Sequence, residues 1–88
     1  MQIENTTHTG ISKVKGVTIR YTVTDKDGSP REVIATISKD TKIVGSANAN
    51  VNGTFGVSFN AENGISHKDR RSIVDTILQD VADTLTNE

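Results

Sequence analysis

The segment GVTIRYTVTD alternates without a break, with Val17, Ile19, Tyr21 and Val23 on one side and Thr18, Arg20, Thr22 and Thr24 on the other. A period of two puts one face in a core and the other in water, and so predicts a strand. REVIATIS repeats the pattern with Val33, Ala35 and Ile37 inward. DKDGSP, from Asp25 to Pro30, reads as the turn between them, because Gly28 accepts positive φ and Pro30 cannot donate to a ladder. KDT at 39–41 is a second short turn. KIVGSANANVNGTFGVSFNA then places Gly45, Ala47 and Ala49, and after them Phe55, Val57 and Phe59, at every second position. The strands fall at about 16–25, 31–38, 42–50 and 54–61.

The Asn52-Gly53 turn sets the register of the last pair. A two-residue loop would place Phe55 and Phe59 against Asn50 and Ser46, burying amides at a cost. A three-residue loop, Val51-Asn52-Gly53, seats Gly53 as the left-handed residue of a type I turn with a bulge. It pairs Ala49 with Phe55, Ala47 with Val57 and Gly45 with Phe59. Carried across four strands, this gives the rows Tyr21–Ala35–Gly45–Phe59, Ile19–Ile37–Ile43–Ala61 and Val23–Val33–Ala47–Val57. Small residues occupy the two middle strands and form a trough.

The trough has a candidate occupant. In SHKDRRSIVDTILQDVADTLTNE, the residues Ile73, Val74, Ile77, Leu78, Val81, Ala82 and Leu85 recur at helical spacing. Ser66 with Asp69 resembles a capping box, and Gly64 lets the chain turn into the helix. The predicted fold is α+β: a four-stranded antiparallel meander, order 1-2-3-4, with one helix at about 66–86 across one face. Residues 1–15 are expected to be a flexible arm and 16–88 a single domain. Were the arm to pair in a dimer, Ile3 and Ile11 would anchor it.

Composition narrows the chemistry. The chain has 88 residues, ten basic and eleven acidic, with net charge −1 and no cysteine. Disulfides and thiolate metal sites are therefore excluded. The charge balance argues against bulk attraction to nucleic acid or membrane. MQIENTTHTGISKVK contains no apolar run, so no secretory signal or anchor is read there and a cytoplasmic location is expected. The NTT and NGT triplets at Asn5 and Asn52 carry no weight as glycosylation sites without such a signal.

Two surfaces stand out. His67, Lys68, Arg70 and Arg71 crowd the start of the helix while Asp75, Asp80, Asp83 and Glu88 follow, the reverse of what the helix dipole favours. Such a cluster suits an anion or an acidic partner, or it is a solvated helix end. The outer sheet face carries Thr18, Arg20, Thr22, Thr24, Thr36, Ser38, Ser46, Asn48, Asn50, Thr54 and Ser58, with Ile34 as an apolar exception. High strand propensity explains the threonines, and Arg20 alone is sparse for a DNA-reading sheet. Asp25, Asp27, Ser29 and Glu32 begin like a calcium loop, but the length and flanking helices of an EF-hand are missing.

His8 and His67 fall in the arm and on the helix end. No serine sits in a Gly-x-Ser-x-Gly turn, and no Lys stands at phosphate-loop spacing. The expectation is a non-enzymatic protein without cofactor or metal that works by contact with a macromolecule, foremost another protein. Inhibitors and accessory proteins of phages or mobile elements share this profile. The contact residues expected are Lys68, Arg70, Arg71 and His67, with Arg20, Asn48 and Asn50 behind them. The alternatives are nucleic-acid binding through the basic helix start, and a self-associating subunit that pairs, as a homodimer, through an edge strand.

Overall fold

The computed structural model describes residues 5–60 and 64–85. They form strands β1 (Asn5–Val14), β2 (Val17–Lys26), β3 (Ser29–Lys39), β4 (Lys42–Asn50) and β5 (Phe55–Phe59), followed by helix α1 (His67–Leu85). The strands make one antiparallel sheet in the order β1-β2-β3-β4-β5. The α+β meander with a C-terminal helix is therefore as predicted, with one strand more. Ile3, Ala61 and Glu62 lie outside the described residues.

The added strand is the expected arm. Asn5–Val14 pairs along its whole length with β2, from Asn5↔Lys26 to Val14↔Val17, without a register shift. The connecting turn is Lys15-Gly16, with φ of 50° and 79° at its two residues. Two consecutive left-handed residues make the tight hairpin turn whose twist matches the strands. The apolar alternation that marks β2 is missing from β1, because its helix-side positions are His8, Gly10, Ser12 and Val14.

A second tight turn, Asp27-Gly28 (φ 54° and 82°), joins β2 to β3. Across it Ile19 pairs with Ile37, Tyr21 with Ala35 and Val23 with Val33, the predicted register. The β4–β5 register is also as predicted: Ala49↔Phe55, Ala47↔Val57 and Gly45↔Phe59. Gly53, at φ 101°, donates to Asn50 O at 3.1 Å, closing the turn and its bulge.

The β3–β4 register differs by two residues from the prediction. Ile37 faces Gly45, Ala35 faces Ala47 and Val33 faces Ala49. The turn is a two-residue Asp40-Thr41 hairpin, φ 51° and 68°, rather than a three-residue one. Taken alone, that turn would set Ile37 against Val44 and send Ala47 to the outer face. A bulge between Ile37 and Ser38 corrects the parity. The rows therefore read Tyr21–Ala35–Ala47–Val57, Ile19–Ile37–Gly45–Phe59 and Val23–Val33–Ala49–Phe55. Ile43, expected inside, is 59% exposed, and Val44 takes its place in the core at 5%.

Helix α1 lies over β3 and reaches β1 and β4. Ser66 caps it: its Oγ accepts from Asp69 N at 3.1 Å, and its carbonyl accepts from Arg70 N at 2.9 Å. Ile73 and Ile77 are fully buried against Ile19, Ile37, Ala35 and Ala47, with Val81 and Leu85 partly buried beside them. Leu78, placed in the apolar stripe by its spacing, is 46% exposed.

Gly45 explains the alternation of small and large residues. A methyl group there would lie 2.5 Å from the Ser58 carbonyl oxygen and 3.2 Å from the Phe59 ring. We expect Gly45→Ala to lower stability in urea unfolding by about 1–3 kcal/mol through overpacking. Gly10→Ala, where nothing lies within 4 Å of the new methyl, should show no such loss. The bulge makes a second prediction: Val44→Ala destabilises by about 1–3 kcal/mol, while Ile43→Lys stays within about 0.5 kcal/mol of the parent.

Candidate functional site

The residues singled out from sequence do not converge. His67, Lys68, Arg70 and Arg71 sit on the helix side of the sheet, where Arg70 contacts the His67 ring. Arg20 and Asn48 point from the opposite face, Arg20 between Ile11 and Thr36, and Asn48 between Ile34 and Gly56. Asn50 ends β4 half-buried, its Oδ1 buried without a hydrogen-bond partner. The sheet thus separates the helix-start cluster from Arg20 and Asn48.

A polar cluster that the sequence reading missed lies where α1 passes β1. Asp80 Oδ2 accepts from Tyr21 Oη at 2.5 Å and from Ser12 Oγ at 2.7 Å. Beside it, His8 Nε2 approaches Asp25 Oδ2 at 2.6 Å, while Asp25 Oδ1 is buried without a partner. An open cleft of about 460 Å³ runs between them, lined among others by His8, Gly10, Ser12, Tyr21, Asp80 and Thr84. Ser12 and Tyr21 are committed to Asp80 and His8 to Asp25, so the cleft is bordered by a cluster of three and by the His8 end of a separate pair. Burial, then the hydrogen bond to Asp80 and its negative charge, push the Tyr21 hydroxyl well above the usual tyrosine range, with Ser12 pulling weakly the other way. The helical spacing held one signal for this cluster: Thr76, Asp80 and Thr84 follow each other at four residues, alongside the apolar line Ile73, Ile77, Val81, Leu85. Nothing local marks Ser12 and His8, whose partners lie 68 and 17 residues away.

At the opposite edge the core is open. Between α1 and the β4–β5 hairpin lies an apolar groove of about 250 Å³, lined by Ala49, Val51, Phe55, Leu78, Ala82 and Leu85 with their neighbours. Val51 is 47% exposed and Phe55 36%. Val57 and Phe59 are only partly buried. The helix sits toward β1 and β3, so its far flank, Leu78 and Ala82, overhangs β5 without covering it.

Among the described residues, no group of three or more His, Asp or Glu side chains is placed to hold a metal ion, and no helix is long and apolar enough to cross a membrane. The DKDGS segment is a hairpin turn with its flanking strand ends. Compared with protein-family models, with curated proteins and with solved structures, the chain shows no significant match.

The Tyr21–Asp80 contact has a pH signature. The folded state holds the Tyr21 proton more tightly than the unfolded chain, whose tyrosine titrates near about 10. Its contribution is therefore complete below about pH 10 and is lost as pH rises above that value toward the raised folded pKa. Urea unfolding between about pH 8 and 11 should show a steeper alkaline loss in the parent than in Tyr21→Phe.

Proposed function

We propose that the protein is a non-enzymatic binding protein of the cytoplasm that acts by non-covalent contact with another protein chain. The observation that carries this reading is the apolar strip formed by Val51, Phe55, Leu78 and Ala82, left open where α1 fails to cover β5. Apolar surface gathered in one groove of a small chain is the kind of surface that protein contacts cover. Charge supports the same reading: the net −1 and the lack of a basic stripe fit a protein surface better than a polyanion. The absence of cysteine from the sequence fits a reducing compartment.

A photo-reactive residue placed at position 79, beside the strip, should cross-link a protein when the chain is expressed in its host. Leu78→Asp should abolish that product while leaving the unfolding transition within about 1 kcal/mol of the parent. If Arg70→Glu removes the product instead, and rising salt weakens binding steeply, the contact lies at the helix start and the strip reading fails.

A further inference from the structure

We infer that the chain seated on this strip is a second copy of the protein, joined β5 to β5 about a two-fold axis at Val57; the inference rests on the strip reading above and names its occupant. The first observation is the way the two edges of the sheet are finished. At β1 the helix side ends in polar side chains that bond within the chain, Ser12 to Asp80 and His8 to Asp25 Oδ2. At β5 it ends in Phe55, Val57 and Phe59, with Leu78 overhanging and, among the described residues, no strand beyond. The sheet is short of one apolar strand on that side.

The second observation is where the free backbone groups point. Asn50 N donates to Thr54 O at 3.1 Å, and Asn60 N donates to Val44 O at 2.8 Å. With the register of β4 and β5, these bonds show that the even-numbered residues of β5 face β4. The amide and carbonyl groups of Phe55, Val57 and Phe59 therefore face the open edge. The residues that present apolar side chains on the helix side of the sheet also present the hydrogen-bonding groups that an incoming strand needs.

The third observation selects the strand. FGVSF has nearly the same pattern in both directions: a Phe at each end, Val in the centre, and small Gly56 and Ser58 between. Antiparallel pairing of two copies with Val57 on the axis sets Phe55 of one copy opposite Phe59 of the other, and Gly56 opposite Ser58. Isologous contact requires this self-complementarity. It forms about six inter-strand hydrogen bonds, gives two aromatic cross-strand pairs and brings no charges together. β5 carries no Pro, Lys or bulge to block such pairing, the devices that protect exposed edges. Both apolar strips then lie on one side of a continuous sheet, each extended by the other copy's Phe and Val side chains.

Light scattering on a sizing column should give twice the 9.5 kDa chain mass at high concentration. Val57→Pro should restore the monomer without unfolding it, since this amide faces the open edge, where proline is tolerated. The chain has no cysteine, so single thiols report the register. Val57→Cys should be joined efficiently by a short thiol–thiol cross-linker, with the two Cα atoms about 5.5 Å apart, and Thr54→Cys should not. A monomer at every concentration whose strip still cross-links a host protein overturns the dimer and leaves the strip reading standing. A monomer whose strip cross-links nothing overturns both. A dimer insensitive to Val57→Pro and Leu78→Asp lies elsewhere and overturns the β5 pairing; it overturns the strip reading too only where position 79 cross-links no host protein.

Discussion

The fold depends on one contact, the burial of one sheet face under one helix. Ile19 and Ile37 from the sheet meet Ile73 and Ile77 from α1, all at 0% exposure. Full burial of such a side chain contributes about 1.5–3 kcal/mol against the large entropic cost of ordering a small domain. Every other feature keeps those four residues facing one another. The tight turns Lys15-Gly16, Asp27-Gly28 and Asp40-Thr41 hold the strands in antiparallel register. The bulge at Ile37/Ser38 restores the inward row that the last of these turns would have reversed. Ser66 starts the helix at the point where Ile73 and Ile77 fall on the sheet.

A helix is narrower than a five-stranded sheet, and this one lies nearer β3 and β1 than β5. The two uncovered margins are finished by different chemistry. On the β1 margin, Tyr21, Ser12 and Asp80 form a hydrogen-bonded seam that needs no further cover. These part-buried hydrogen bonds hold the helix laterally, because an oxygen left without its partner there would carry a desolvation cost. On the β5 margin the exposed groups are aromatic and aliphatic, which only another apolar surface can satisfy. That difference between margins, more than any single residue, directs the functional reading toward β5 and away from the basic helix start.

The strands with clean alternation, β2, β3 and β5, are legible from sequence, because each contrasts an apolar row with a polar one. The β4–β5 register follows from Asn52-Gly53, since a left-handed glycine leaves few hairpin geometries. The helix, its cap and its buried line follow from spacing alone. β1 was not legible as a strand: its helix-side residues, His8, Gly10 and Ser12, are polar or small, and they are acceptable there only because Asp25 and Asp80 arrive from distant parts of the chain. Ile43 and Val44 exchanged places because turn length and bulge together decide facing, and a run such as KIVG is apolar at both positions.

The sequence by itself determined which face of the central strands is buried, that a terminal helix covers it, and that disulfide and thiolate chemistry have no part. Those properties rest on local periodicity and residue type, which need no knowledge of partners. Tertiary structure alone decided where the helix lies across the sheet and, with that, which apolar residues remain exposed. Leu78 and Val81 both belong to the apolar stripe, about 60° apart around the helix. Only the lateral placement of α1, held toward β1 by Asp80, leaves the first open to water and tucks the second against the core.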